Sequence, residues 1–115
     1  MTTNAEVMVG VRSHDDAEEA HRRLEAEAAG PDQQTQYTRG ALTGYLWALG
    51  RGAPAPITGE ATDGPPNLQA LTAEVAAATV QMGDSTQRTV PRDYIHGVRD
   101  ALAWVCGQSE TPPRP

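Results

Sequence analysis

Two carboxylate-x-x-His pairs come closest to a metal-binding pattern in this sequence. Glu18-x-x-His21 lies in a predicted first helix and Asp93-x-x-His96 in a predicted fourth helix. A carboxylate and an imidazole at this helical spacing ligate di-metal sites in helical bundles. His14, on the same face of the first helix, completes this candidate set. Such a site also needs inward carboxylates from the other helices, and Glu74 is the only obvious one on predicted helix 3. We therefore expect solvated polar side chains and assign no metal or other cofactor.

No motif for covalent catalysis or phosphate binding is present. Neither the serines nor the single cysteine, Cys106, stands in a motif that would place it beside a histidine. The segment GRGAPAPITG lacks the Gly-Lys-Ser/Thr ending of a phosphate-binding loop. We predict that the protein is not an enzyme, and that the lone thiol is a buried spectator.

Charge and hydropathy exclude several classes of partner. The formal net charge is −6, so general binding to nucleic-acid phosphates or anionic lipid is disfavoured, because such binding needs clustered cations. The longest apolar runs fall far short of the roughly 20 residues that cross a bilayer, and the acidic start does not resemble a signal peptide. We expect a cytoplasmic protein with no membrane contact. The absence of lysine and phenylalanine suggests a GC-rich bacterium, its phages or its mobile elements.

Hydrophobic spacing, capping residues and Gly/Pro positions predict one all-α domain with four helices in two αα-hairpins. The predicted helices cover residues 14–29, 31–49, 67–82 and 91–106. We expect residues 1–12 to form an N-terminal arm, in which Val7, Val9 and Val11 alternate as in a short strand; a dimer contact and the first turn of a helix are the alternatives. Residues 51–66 form a Pro/Gly-rich loop, and we expect residues 108–115 to be a disordered tail.

A Tyr-x-x-Gly…Trp-x-x-Gly frame occurs twice, in predicted helices 2 and 4. Spacings of 3, 4 and 3 place the members of each frame on one helix face. Interior glycine costs about 1 kcal/mol relative to alanine, so its use indicates that another backbone comes close. Each frame therefore forms a notch, a floor of small residues between aromatic walls; the two notches consist of Tyr37, Gly40, Gly44 and Trp47, and of Tyr94, Gly97, Ala101 and Trp104.

The notches allow two interpretations. We favour an arrangement in which helices 2 and 4 of one chain cross at their notches. An old internal duplication would account for the repeated frame. Alternatively, one or both notches receive a helix from a second copy or another protein, because aromatic walls around a small-residue floor suit helix recognition. All eight notch residues are then partner-binding candidates.

The sequence therefore favours a small acidic helical protein that acts through protein–protein interaction or self-association, in an accessory or regulatory role. A small-ligand or metal-binding helical bundle is the first alternative. An acidic inhibitor of a nucleic-acid-binding enzyme is the second, because predicted helix 1 is rich in acids, although arginines interrupt them.

Overall fold

Within the residues that the computed structural model describes, the protein folds into four α-helices that follow a short N-terminal β-hairpin. These are residues 7–51, 54–61, 64–84, 86 and 90–115. The predicted all-α, four-helix arrangement is confirmed. The elements in chain order are β1 (Met8–Val9), β2 (Arg12–Ser13), α1 (His14–Glu27), a 3-10 turn (Pro31–Gln33), α2 (Gln36–Ala48), α3 (Leu68–Met82) and α4 (Arg92–Val105).

Side-chain caps determine where three of the helices begin. Ser13 accepts a hydrogen bond from the Asp16 amide at 3.1 Å, as its position in the sequence predicts. Asn67 caps α3 in the same way. The predicted start of helix 2 at residue 31 is wrong, because the chain makes one 3-10 turn there. Thr35 then caps α2, which begins at Gln36.

Residues 8–13 form a tight antiparallel hairpin rather than one extended strand, and residues 1–6 of the predicted N-terminal arm lie outside the described residues. Val9 is buried, whereas Val7 and Val11 are exposed, so the three alternating valines do not share one buried face. The chain turns at Gly10, whose φ of +61° is readily adopted only by glycine. The Val11 amide donates to the Val105 carbonyl at 3.0 Å, which attaches the hairpin to the end of α4.

The core lies along the contact between α2 and α4. α1 packs against α2, and α3 packs against α4, as expected for two hairpins joined by a loop. The largest fully buried side chains are Trp47, Tyr45, Leu24, Leu71, Ile95 and Leu102. Among the described residues, none of the helices has the length and apolarity needed to cross a bilayer.

A buried carboxylate holds the described part of the α2–α3 loop. Glu74 on α3 is 2% exposed and accepts hydrogen bonds from the Ile57 and Thr58 amides at 2.8 and 3.2 Å. The sequence predicts this segment as a long Pro/Gly-rich loop, of the kind that is commonly functional or mobile. A charged acceptor inside the fold gives it a defined position instead.

The C-terminal residues 108–115, for which the sequence analysis expects disorder, are described with contacts to the helices. Pro113 is buried, and the Arg114 guanidinium lies 3.7 Å from the Glu27 carboxylate of α1. The Ser109 carbonyl accepts a hydrogen bond from Arg12 at 2.8 Å. The tail therefore lies against the helical body in this structure.

Candidate functional site

The two notches face each other where α2 and α4 cross. A methyl group added at Gly40 would lie 2.0 Å from the Tyr94 carbonyl oxygen, and one added at Gly97 would lie 2.0 Å from the Tyr37 carbonyl oxygen. Each glycine therefore meets the backbone of the tyrosine that opens the other frame. This reciprocal contact explains why both positions lack a side chain.

The second small residue of each frame fills the same crossing. A Cβ at Gly44 would be 3.4 Å from the Ala101 Cβ and 3.3 Å from the Val98 carbonyl oxygen. These distances are close, but they do not exclude a methyl group as strictly as at Gly40. The approach of the two helices is therefore tightest at the tyrosine end of the frames.

The aromatic walls of the notches are also largely inside the fold. Trp47 and Trp104 are 2% and 7% exposed, and Trp104 packs edge-to-face on Tyr45 of α2 with ring centroids 6.1 Å apart. Tyr37 and Tyr94 are half-buried. A partner could reach only these two tyrosines without opening the crossing. Partner binding by the notch residues stays a prediction.

A polar cluster borders the crossing at Tyr37. The Tyr37 hydroxyl donates to Asp100 Oδ2 at 2.7 Å, His96 Nε2 lies 3.3 Å from the same oxygen, and Arg99 Nη1 lies 3.2 Å from Oδ1. Burial, followed by the hydrogen bond to Asp100, raises the pKa of Tyr37 well above its usual value. The phenol is therefore a hydrogen-bond donor that links α2 to α4, rather than a base.

The candidate metal ligands do not lie together but interact with different neighbours. His14 Nε2 lies 3.9 Å from Glu18 Oε2, and Glu18 also forms an ion pair with Arg51. On α4, Asp93 is exposed and His96 pairs with Asp100 as described above. Among the described residues, no group of three His, Cys, Asp or Glu side chains could hold a metal ion. The weak metal hypothesis gains no support from this arrangement.

His21, which the sequence predicts among the solvated polar side chains, is buried on α1 instead. It is 8% exposed and packs edge-to-face on Tyr45, with ring centroids 6.2 Å apart. Its spacing from Ala17 and Leu24 puts it in the buried stripe of the helix. That spacing is visible in the sequence, so the burial of His21 could have been predicted.

Cys106 has the properties of a structural thiol. It is half-buried, and the Thr72 hydroxyl donates to its sulfur at 3.8 Å. Burial raises the pKa of Cys106, so little of the nucleophilic thiolate forms near neutral pH.

The outward surface of α3 differs from the exposed surfaces of the other three described helices because none of its residues is charged. The single ionisable residue of the helix is Glu74, which points into the fold. We call the exposed side chains of this helix the α3 outer face. It consists of Leu68, Gln69, Thr72, Ala73, Ala76, Thr79 and Val80.

Two of these side chains are apolar and prominent. Val80 is 72% exposed and Leu68 is 46% exposed, at opposite ends of the face. By contrast, the exposed surface of α1 consists mainly of acids and arginines. The outer face was not predicted from the sequence, although the absence of charged residues from this helix apart from Glu74 is visible there.

Comparison with models of known protein families, with curated proteins and with solved structures finds no match to this chain.

Proposed function

We propose that this protein acts by protein–protein assembly, with the α3 outer face as its contact surface. The observation that carries the proposal is a solvated helix face without a charge, in a chain in which 21% of the residues are charged. Charged residues are typically depleted at the centre of a protein interface.

The composition of α3 suits a helix that packs against its own fold on one side and against a partner on the other. Leu71, Val75 and Ala78 pack inward, while alanine, threonine and valine face solvent. A surface helix typically presents charged and polar residues to solvent, whereas none of the exposed residues of α3 is charged. Because Ala73 and Ala76 are small, a second helix could pack at an ordinary interaxial distance of about 8–10 Å.

The partner that this face fits best is a second copy of the chain. Two copies that each carry a net charge of −6 repel, and the repulsion is strongest where their acidic surfaces meet. The α3 outer face brings no carboxylate toward its counterpart. Contact through this face therefore lets two copies associate with the least electrostatic cost.

Sedimentation velocity over a range of concentrations tests the proposal. Wild-type protein should dimerise, and Ala76→Arg should weaken the dimer because it places two like charges in the contact. Ala26→Arg is the matched control, since Ala26 is an exposed alanine on α1. It should associate like the wild type.

Mixing charge variants tests whether the face contacts itself. Ala76→Arg and Ala76→Glu should each be monomeric alone and should associate when mixed, because opposite charges then meet. A wild-type chain that stays monomeric at every soluble concentration would exclude self-association. Equal loss of association in Ala76→Arg and Ala26→Arg would exclude the α3 outer face as the contact.

A further inference from the structure

The C-terminal tail lies in a groove between α1 and α4. We call this the tail groove. Its floor is apolar, with Ala20 and Leu24 from α1 and Trp104 from α4. Its rim on α1 carries the carboxylates of Asp16, Glu19 and Glu27, together with Arg23.

The tail segment suits such a groove in shape and charge. Residues 111–115 read TPPRP, and consecutive prolines favour an extended polyproline II conformation before binding, which lowers the entropic cost of docking. Pro113 is buried, while Arg114 lies 3.7 Å from Glu27. A proline is thus held inside the groove and a cation is held at its acidic rim.

Arg12 holds the groove floor and the start of the tail in place. Its guanidinium lies over the Trp104 ring, 4.6 Å from the ring centroid. Its Nε donates to the Trp104 carbonyl at 2.8 Å and its Nη2 donates to the Ser109 carbonyl at 2.8 Å. One side chain therefore orients the indole and fixes where the tail enters the groove.

The tail does not fill the space around it. A cavity of about 480 Å³ lies between α1 and the tail, and one of about 500 Å³ lies between the tail and the Tyr37–Arg99–Asp100 side of the molecule. Both cavities are lined by Thr111, Pro112, Pro113 and Arg114. Bulkier side chains than those of the tail could therefore occupy the same groove.

We propose that the tail groove recognises proline-rich segments that contain arginine, and that the chain's own tail occupies it as an intramolecular competitor. Aromatic-lined grooves bind polyproline II segments, and carboxylates at the rim add selectivity for arginine. A partner segment of this chemistry displaces the tail. This inference does not depend on the contact surface proposed for α3.

Fluorescence anisotropy with a labelled peptide of the sequence QSETPPRP tests the inference. The proteins are the full-length wild type and a full-length variant with Pro113→Gly and Arg114→Glu, whose tail no longer fits the groove. A linked tail competes at a high effective concentration, so the variant should bind the peptide at least about tenfold more tightly than the wild type. Equal affinities, or no binding to either protein, would overturn the proposal.

Two glutamates of α1 provide a matched control in the variant background. Glu27→Gln should weaken peptide binding several-fold, because Glu27 faces the arginine. Glu25→Gln should have no effect, because Glu25 is exposed on α1 outside the tail groove. Equal effects would indicate general electrostatic attraction and would contradict a specific arginine contact.

NMR of the wild-type chain gives a test that needs no variant. Excess unlabelled peptide should displace the tail and shift the amide of Arg114, because the displaced residue loses its contact with the groove. The Trp104 indole then faces the same sequence in the peptide, so its resonance should move little. The Trp47 indole, buried in the core, serves as the internal reference. An unchanged Arg114 amide signal at saturating peptide would contradict the proposal.

Discussion

The α2–α4 crossing and the α3 outer face are both built from small residues, but only the first is filled within the chain. At the crossing, Gly40 and Gly97 lie against backbone carbonyls, with no room for a methyl group. On α3, Ala73 and Ala76 face solvent. The crossing uses glycine where the two backbones are closest, and the α3 outer face uses alanine.

This difference shows what each residue type indicates. Interior glycine lowers helix stability, so it is retained where any side chain would collide with a neighbouring backbone. Alanine favours the helix and still permits a second helix at ordinary packing distance. A glycine frame therefore indicates an internal crossing in this protein, whereas an uncharged alanine and threonine face indicates a surface open to a partner.

Gly97→Ala should break the crossing and have the largest effect on stability. The added methyl would collide with the Tyr37 carbonyl, and overpacking of this kind should cost about 3 kcal/mol, more than the helix gains from alanine. Urea unfolding followed by tryptophan fluorescence measures the change. Gly44→Ala is the control and should alter the free energy of unfolding by no more than about 1 kcal/mol, because its nearest neighbours are farther away. Equal effects at both positions would contradict the geometry of the crossing.

Substitutions on the two faces of α3 should differ in their effect on stability, and Glu74→Ala on the inner face should have the larger effect. The change removes the acceptor of the Ile57 and Thr58 amides and should cost about 2 kcal/mol, since hydrogen bonds to a charged group are strong. Hydrogen exchange at these two amides should accelerate. Gln69→Ala on the outer face should change the free energy of unfolding by less than about 0.5 kcal/mol. Unchanged exchange in Glu74→Ala would show that the carboxylate does not hold the loop.

Tyr45→Phe should make the free energy of unfolding less sensitive to alkaline pH. Tyr45 lies in the core beside the crossing. Burial raises the pKa of Tyr45 well above its usual value, so the unfolded state ionises first and stability falls as the pH rises above about 10. Each pH unit above this value should cost the wild type about 1.4 kcal/mol from this group. The variant lacks this loss, which unfolding at pH 9 and 11 measures.

At neutral pH the same variant should be at least as stable as the wild type. The Tyr45 hydroxyl is buried and has no hydrogen-bond partner among the described residues, so its removal leaves no other polar group unpaired. A large loss of stability at neutral pH would indicate a partner for the hydroxyl.

Val80→Gln should have the smallest effect on folding and should still weaken self-association. Val80 is 72% exposed, so the free energy of unfolding should change by less than about 0.5 kcal/mol. Met8→Gln replaces an exposed apolar residue of the hairpin and serves as the control in sedimentation velocity. Equal dimerisation of Val80→Gln and the wild type would argue against the α3 outer face.

Several contacts could not be predicted because they join distant parts of the chain. Tyr37 and Asp100 are bonded across the crossing, and Glu74 binds the loop that precedes its own helix. The partners of each pair are too far apart in the sequence to form a helical or strand spacing. The proline-rich tail was expected to be disordered from its composition, which contains no information about the groove that it contacts.

The sequence by itself determined the four helices, most of their ends and the small-residue frames, because apolar spacing, caps and glycine act over a few neighbouring residues. The tertiary structure alone decided which surfaces those elements leave open. The crossing brings both notches into the core, whereas α3 packs against α4 and the loop and leaves its outer face exposed. Whether a surface is covered depends on which residues the folded chain brings together, and those residues lie far apart in the sequence.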